Sequence, residues 1–389
     1  MSRRIINELD DICRIYWYSS KKVKSVMLNQ LCKQYGCHRK SAIRKLNRRL
    51  HGIGKDPKAR NGAKVKYEPG ELLEPLRDIW LSTDQMCSKR LHEALPLWLP
   101  HYSKDLSDDV KSKLLSMSPA TIDRLLQGTR KIDGKKQRCR TRPGTLLKNK
   151  IEIKTDNWDV TEPGFMEADT VAHCGNSLND DFVWSLNMVD IYSGWTEVRA
   201  IWGKYADGVI DAINDIERYL PFILKGFDSD NGSEFINHEL FRHLEDREHP
   251  VKFTRSRPYK KNDNAHVEGR NWTHVRQLMG YSRFDSPELV DVINELYRNE
   301  WSQLNNFFCP SMKIKSKTKI NSRYQRKYFK SMTPFQWLLE SKTVSVKKKE
   351  QLQLQFEGLN PFELRKKIEE KLKVIFSKVR LHKKPRKKI

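Results

Sequence analysis

Residues 257–276 read R-P-Y-K-K-N-D-N-A-H-V-E-G-R-N-W-T-H-V-R, and the rest of the chain is organised around this stretch. It opens as a basic loop that contains a proline and then changes to a helical pattern, for which Asp263 and Asn264 are both suitable N-cap residues. A helix that begins there places Glu268 on the same face as Asn264, because residues four apart stack on a helix. A lone carboxylate near a helix start usually complements the helix dipole. The residues upstream favour another interpretation.

Upstream of this helix, the hydrophobic pattern changes several times between a strand period and a helix period. Three strands come first, then a helix, a strand, a second helix and a fifth strand, expected in that order at residues 165–171, 182–189, 195–201, 206–220, 223–227, 238–246 and 251–254. The order βββαβαβα predicts a mixed five-stranded sheet with helices on its faces.

Two aspartates belong to this sheet. Asp169 lies in the first strand, and Asp230 follows the fourth strand in D-S-D-N-G-S-E-F. The pair Asn231-Gly232 predicts a sharp turn with a positive φ angle. If the first and fourth strands are neighbours, the two aspartates lie side by side. The 37 residues between Asp230 and Glu268 are enough to bring the helix that carries Glu268 back to the same edge.

Three carboxylates at one edge of a sheet are typical of a metal site, although each has an ordinary explanation alone: Asp230 as a turn former, Asp169 as a solvated strand-end residue. Phosphodiester cleavage or transfer requires an activated water or 3′-hydroxyl and a neutralised leaving oxygen, which two Mg²⁺ ions about 3.5–4 Å apart provide. Mg²⁺ prefers oxygen ligands, and Asp and Glu supply them. The sequence therefore predicts that Asp169, Asp230 and Glu268 form a metal site for Mg²⁺ or Mn²⁺ suited to this chemistry.

The charge of the chain indicates a polyanionic partner. The 389 residues carry a formal net charge of +25. Residues 151–250 contain 21 Asp and Glu against 7 Lys and Arg, a net of −14, so the flanks carry +39. Basic flanks around an acidic, cation-binding centre favour double-stranded DNA as the partner. The seven scattered cysteines indicate a reducing cytosolic setting, and no apolar run approaches the length of a membrane span.

The N-terminal region, residues 1–55, is expected to be a helix-turn-helix unit. Helices at 24–34 and 38–50 are separated by the turn signal Tyr35-Gly36, and the second helix has one basic face. Four residues of that face are predicted DNA contacts: Arg39, Lys40, Arg44 and Arg48. The alternative is an ordinary helical hairpin with a solvated basic face.

A second helical unit is expected at residues 56–130. A helix-like segment at 110–115 precedes a helix at 119–127, which begins at Ser118-Pro119 and ends at Gly128. This pair resembles a second helix-turn-helix, in which Thr121 and Arg124 face outward toward DNA. A basic linker at 131–155 follows; it either lies along a phosphate backbone or is simply solvated.

The carboxylate motifs resemble the catalytic core of retroviral-type integrases and of bacterial insertion-sequence transposases, the DDE family. The likeness rests on Asp169, on D-N-G-S-E-F with Asp230 and on N-D-N-A-H-V-E with Glu268, and it covers residues 163–281. The N-terminal segments H-R-K-S-A-I-R and S-P-A-T-I-D-R-L-L are similar to the bacterial branch. The resemblance implies an α/β ribonuclease-H-like core at 156–285, two divalent metals, and cleavage and strand transfer at terminal inverted repeats. It also implies a homo-oligomer that joins two DNA ends, and a DNA contact by Asn264.

Some features depart from that family. The N-terminus lacks the His-His-Cys-Cys zinc module of the retroviral enzymes. Trp272 stands where those enzymes carry a basic residue one turn after the glutamate, and Arg270 or Arg276 is the expected substitute. The loop before the helix is expected to contact phosphate through Arg257, Lys260 and Lys261, and Arg276 is included among the DNA-binding residues. Residues 286–389 form a helical and basic C-terminal region without a recognisable β-barrel, in which 312–330 is expected to be a loop.

Taken together, the sequence predicts a multidomain protein with N-terminal all-α helix-turn-helix domains, an α/β core and a basic C-terminal region. Its expected function is a DNA transposase or integrase of a mobile element that acts on terminal-repeat and target DNA in the bacterial cytoplasm, near the nucleoid. One alternative is a DNA-binding regulator with an inactive core, which predicts the loss of a triad member. A simple nuclease, the other alternative, does not require two DNA-reading units.

Overall fold

A computed structural model describes residues 12–50, 66–133, 160–230, 232, 234–256, 265–320 and 323–379. The chain divides into two compact units, Met1–Lys66 and Tyr67–Ile389. In the first unit, residues 12–18 are helical, and the helices Lys21–Tyr35 and Arg39–Leu50 follow. Gly36 ends the first of these two with φ 57°, a left-handed conformation that suits glycine. The predicted succession of helix, turn and helix is confirmed as local structure.

The first unit has a small core of its own. Cys13, Leu28, Leu31, Ala42 and Leu46 are buried together where the three helical segments meet. These apolar positions recur at helical spacing, which is why the sequence forms two amphipathic helices here.

The second unit contains a five-stranded mixed sheet in the order β3-β2-β1-β4-β5. Strands β1, β2 and β3 are antiparallel neighbours, whereas β4 runs parallel to β1 and β5 parallel to β4. The strands are β1 Phe165–Ala172, β2 Val183–Asp190, β3 Thr196–Trp202, β4 Gly226–Ser229 and β5 Lys252–Arg255. Helices Ala206–Tyr219 and His238–Glu245 connect β3 to β4 and β4 to β5. The predicted order βββαβαβα is confirmed, and this mixed sheet with its helices fits a ribonuclease-H-like core.

The helices before the sheet pack into the same hydrophobic core as the sheet. They are Pro69–Ser82, Ser88–Trp98, Asp108–Ser116, Pro119–Leu125 and Gln127–Asp133. The Trp98 indole N–H donates to the Phe308 carbonyl at 3.0 Å, and its ring meets Phe362 edge-on at 5.0 Å. Asp84 accepts two hydrogen bonds from the Arg365 guanidinium, at 2.7 and 3.1 Å. The helical segment is therefore fixed to the body that contains the sheet.

After the sheet, a helical run is interrupted by a π-helical turn: Leu289–Leu296, the π-helix Tyr297–Trp301 and Ser302–Phe308. The short helix Pro334–Glu340 follows a ribbon-like pair of strands, and two charged helices come after it, Val346–Glu357 and Pro361–Lys378. Thr333 is the N-cap of the short helix and forms a capping box with Gln336.

Three local expectations are wrong. The segment 312–330 is not a loop but contains an antiparallel pair, β6 Ile314–Ile320 and β7 Arg323–Tyr328. The helix at 119 ends at Leu125, and Gly128 lies inside the next helix. Strand β4 begins at Gly226, three residues later than expected. A Cβ at Gly232 would lie 2.5–2.8 Å from the Glu234 carboxylate, so close approach favours glycine there. Asn231, the other residue of the predicted turn, lies outside the described residues.

Among the described residues, no helix combines the length and apolar character needed to cross a bilayer.

Candidate active site

Asp169 and Asp230 lie next to each other at the sheet edge. The parallel register of β1 and β4 pairs Ala168 with Ser229. The next residues, Asp169 within β1 and Asp230 directly after β4, therefore lie side by side. The Thr170 amide donates to Asp169 Oδ1 at 2.8 Å, and the Gly232 amide donates to Asp230 Oδ1 at 2.9 Å. Backbone geometry thus holds both carboxylates in place.

Their electrostatics show that the two carboxylates interact. Burial, and then repulsion from Asp230, raise the pKa of Asp169 to about 7. The pKa of Asp230 is also raised, mainly by burial and also by Glu234, although the Gly232 hydrogen bond and the charge of Lys204 lower it. Carboxylates forced together in a half-buried setting favour either a shared proton or a bound cation.

Glu234 is a third carboxylate beside this pair, and sequence reasoning missed it although it lies within the motif D-N-G-S-E-F. It is buried, and its Oε1 accepts from the Thr170 hydroxyl at 2.6 Å. Lys204, from the turn after β3, forms an ion pair with Glu234 at 2.9 Å. Because Lys204 also lowers the pKa of Asp230, its positive charge acts on both carboxylates.

A relay of side-chain amides orients Asp169. The Asn271 amide donates to Asp169 Oδ2 at 2.6 Å, and Asn187 on β2 donates to the Asn271 carbonyl oxygen at 2.9 Å. Asn187 is also the antiparallel partner of Asp169 across β1 and β2. Asn271 opens a π-helical turn, Asn271–Arg276, directly after the helix Ala265–Arg270. Such wide turns often occur at functional sites, and this one begins at the residue that contacts Asp169.

The helix Ala265–Arg270 is held to β1 by a buried glutamate. Glu167, two residues before Asp169, accepts from the backbone amides of His266 at 2.9 Å and Val267 at 3.1 Å. These amides belong to the first turn, where helices leave N–H groups without internal partners. Glu167 therefore binds the helix that carries Glu268 to the strand that carries Asp169.

Glu268 itself is exposed on that helix, one turn before Asn271. Among the described residues, no group of three or more His, Cys, Asp and Glu side chains is arranged to hold a metal ion. The structure therefore brings Asp169 and Asp230 together and does not assemble them with Glu268 into one such group.

Several predicted DNA-binding residues are described, and they differ in surroundings. Lys40 and Arg44 are exposed on the helix Arg39–Leu50. Arg39 is half-buried, because its guanidinium donates to the Ser25 hydroxyl at 2.8 Å and contacts Asn29 across the turn. Arg48 lies in the same helix.

In the second unit, Arg124 is exposed, but it donates to the Ala120 carbonyl at 3.2 Å and lies 3.3 Å from the Thr121 hydroxyl. Thr121 is half-buried at the start of its helix. Arg276 lies over the Tyr281 ring at 4.9 Å. The remaining predicted contacts, Arg257, Lys260, Lys261 and Asn264, lie outside the described residues.

Arg270 and Arg276 are the residues expected to replace the basic residue at whose position Trp272 stands, and they have different surroundings. Trp272 is 45% exposed. Arg270 is directed toward the Gly194 carbonyl at 3.5 Å, and burial together with Arg90 lowers the pKa of its guanidinium to about 10. His173 is buried, hydrogen-bonded to Ser185 at 2.8 Å and stacked on Phe284, so it packs in the core as expected for a histidine without a catalytic role.

We expect the substitution Asn271→Leu to lower the activity and metal affinity of the metal site predicted around Asp169, without unfolding the protein. Groups that orient a metal ligand commonly contribute about 10–100-fold to activity or metal affinity. Loss of this hydrogen bond would also raise the pKa of Asp169 further, because the bond lowers it. Metal-dependent activity measured against pH would show both effects, and Asn299→Leu, at an exposed position of a π-helical turn, serves as the control. Equal losses in the two variants would contradict a role for the amide relay.

Comparison with known proteins finds a relative in Sinorhizobium fredii, named "Uncharacterized protein y4rM". It is 35% identical over 331 residues, which span 84% of this chain and 92% of the relative. No protein-family model matches the chain.

Two solved structures are similar in part. The catalytic core domain of BIV integrase is 17% identical with a TM-score of 0.30, covering 46% of this chain and 95% of that one. The HTLV-2 integrase catalytic core in complex with magnesium is 16% identical with a TM-score of 0.28, covering 39% and 91%. Scores this low decide neither fold nor function, which depend on the topology and the residues described above.

Proposed function

Because this chain belongs to the family of the Sinorhizobium fredii protein y4rM, whose name assigns no activity, we propose its function from its own residues: a DNA transposase or integrase of the DDE type. It would cleave the ends of a mobile element and join them to target DNA. The observation that carries the proposal is the pair Asp169 and Asp230, placed side by side by adjacent parallel strands and repelling each other there.

The donor set fits a hard divalent cation. Asp169 and Asp230 offer only carboxylate oxygens, and their raised pKa values reflect burial and repulsion that a cation would relieve. Glu268 is the proposed third ligand, which requires its carboxylate to approach the pair when DNA and metal bind. Two Mg²⁺ or Mn²⁺ ions, when bound, would neutralise charge on the attacking and leaving oxygens of the phosphodiester.

The protein's own residues have distinct tasks in this proposal. Asp169 must lose its proton before it can bind a cation, and the hydrogen bond from Asn271 favours the ionised form. Glu167 keeps the Glu268 helix against β1. Glu234 and Lys204 fix the turn after Asp230 by linking it to Thr170 and to the end of β3.

We also propose the DNA-reading assignments and domain boundaries made from the sequence. The helices at 1–55 and 56–130 would bind terminal repeats through Arg39, Lys40, Arg44, Arg48, Thr121 and Arg124. The loop before Glu268 would bind phosphate through Arg257, Lys260 and Lys261, together with Asn264 and Arg276. A basic linker at 131–155 precedes the catalytic core at 156–285, and a basic region at 286–389 follows. Joining two ends would require a homo-oligomer, and a DNA substrate would place the protein near the bacterial nucleoid.

The decisive experiment first searches the DNA on both sides of the gene for inverted repeats and then uses labelled duplexes made from them. With Mg²⁺ or Mn²⁺, the full-length protein should nick the repeat end and join it to a target plasmid. Asp230→Asn should abolish both reactions and leave DNA binding intact. Equal products from the wild type and this variant would contradict the proposal, whereas binding without products from either would support a regulator with an inactive core.

A further inference from the structure

The strands β6 and β7 form a two-stranded ribbon that is separate from the main sheet. Its register pairs Lys317 with Arg326 and Thr318 with Gln325, with an irregularity between Ile314 and Ser316. At about 3.4 Å per residue, β6 spans about 24 Å, or about seven base-pair steps of DNA. We call residues 314–328 the ribbon.

The ribbon is basic on both strands and exposed wherever its side chains are described. Residues 310–333 contain eight Lys and Arg and no Asp or Glu. Lys315, Arg326 and Lys327 are exposed, and so are the neighbouring Ser316 and Gln325. A two-stranded ribbon is marginally stable by itself, and repulsion among like charges opposes it further. A polyanion would remove that repulsion.

The base of the ribbon is fixed beside the helix that carries Glu268. Lys313 donates to the Tyr192 carbonyl at 2.6 Å, and its ammonium lies 4.8 Å from the centre of the Trp337 ring. Tyr192 belongs to the turn between β2 and β3. In the same turn, the Gly194 carbonyl lies 3.5 Å from the guanidinium of Arg270, two residues after Glu268. A Cβ added at Gly194 would lie 3.6 Å from the hydroxyl of Ser311 at the ribbon base.

We propose that the ribbon is a DNA-binding arm that holds double-stranded DNA leaving the active site, through phosphate contacts independent of sequence. A two-stranded β-ribbon fits the major groove, which is about 12 Å wide. The charge of the ribbon is complementary to DNA, and its base adjoins the Glu268 helix. The inference rests on the proposed function for the identity of its partner, and it concerns a surface other than the carboxylate site.

The test is the salt dependence of DNA binding by the full-length protein. The triple variant Lys315→Gln, Arg326→Gln and Lys327→Gln removes three positive charges from the ribbon. Each phosphate contact contributes about −0.9 to the slope of log K against log salt concentration, so the slope should become less negative by about 2–3. Fluorescence anisotropy with a labelled random-sequence duplex, titrated at several KCl concentrations, measures this slope.

The matched control removes three exposed charges from the last helix: Lys366→Gln, Lys367→Gln and Lys373→Gln. It has the same net charge as the ribbon variant, and its slope should stay close to that of the wild type. An equal change in both triple variants would overturn the inference, because it would reflect total charge alone. A ribbon effect seen equally with single-stranded RNA, or only with anionic vesicles, would also overturn it.

Two further results separate this inference from the proposed function. If the ribbon variant has a less negative slope but the wild type joins no strands, the ribbon binds DNA and the transposase proposal is wrong. If the wild type joins strands but the slope of the ribbon variant is unchanged, the transposase proposal is supported and the ribbon is not a DNA-binding arm.

Discussion

The variant Asp169→Asn should be inactive and yet more stable than the wild type. Metal-dependent nicking and joining should fall by at least about 1,000-fold, because cation stabilisation of the transition state contributes several kcal/mol and each 1.36 kcal/mol is about tenfold in rate. The stability gain arises because a neutral amide neither repels Asp230 nor requires a buried charge.

The pH dependence follows from the direction of the Asp169 shift. Its pKa rises from the ordinary value of 3.8 to about 7 in the folded protein. The protonated, more stable form is therefore fully populated below the unfolded-state pKa, and its stability contribution is lost as the pH rises through the folded pKa. In EDTA, Asp169→Asn should exceed the wild type by about 1–3 kcal/mol near pH 8 and match it below about pH 4.

The site can accommodate the side-chain amide introduced by Asp169→Asn, because the neighbouring side-chain amides of Asn271 and Asn187 can rotate. Asn187 now donates to Asn271, and its own Oδ1 is buried without a hydrogen-bond partner. If both amides reverse, Asn271 donates to Asn187 Oδ1 and accepts from the new Asn side chain. Thermal unfolding in EDTA, measured from acid to alkaline pH, provides the stability curve. Asp211→Asn, at an exposed position of the helix Ala206–Tyr219, is the control and should change neither activity nor the curve. A variant less stable than the wild type at high pH would contradict the repulsion between Asp169 and Asp230.

Of the variants proposed for this protein, Arg199→Met should lower the free energy of unfolding most. Arg199 on β3 is 1% exposed, and its guanidinium pairs with Glu197 at 3.1 Å and with Asp215. Removing one partner of a buried ion pair commonly costs about 3–5 kcal/mol, because the remaining charge stays buried. Here the remaining charge is chiefly Glu197, since Asp215 keeps Arg298 at 2.7 Å.

Denaturant unfolding of Arg199→Met measures this loss, and Arg218→Met, at an exposed position of the helix after β3, should stay within about 0.5 kcal/mol of the wild type. The double variant Glu197→Gln, Arg199→Met should recover part of the stability, because no buried charge then lacks its partner. Failure of the double variant to recover would indicate that packing of the arginine stem, rather than charge, dominates.

Much of the sheet could be predicted because its signal is local. In strands β1 to β3, apolar residues either alternate with polar ones or form a continuous run, and turn residues bound each strand. Asp169 and Asp230 could be placed because each lies within or directly after one of the predicted strands. The contacts that organise the site could not be predicted in the same way. Asn271 reaches Asp169 across 102 residues of sequence, and Glu167 reaches His266 across 99. No periodicity encodes such contacts.

The ribbon was missed for a different reason. Its first strand reads I-K-S-K-T-K-I, which alternates with period two, but the alternation is between lysine and small or β-branched residues. A strand without a continuous apolar face lacks the half-buried pattern that usually identifies strands. Eight basic residues without an acidic one therefore looked like a solvated connection.

The ion pair between Asp84 and Arg365 limits how early the chain can complete its fold during synthesis. Its partners are 281 residues apart, and at about 5–20 residues per second the ribosome needs roughly 15–55 s to make the second after the first. During that interval the apolar face around Trp98, which Phe308 and Phe362 later cover, remains without its final partners. The nascent chain must therefore wait for its C-terminal helices, and chaperones that hold apolar surfaces have that interval in which to act.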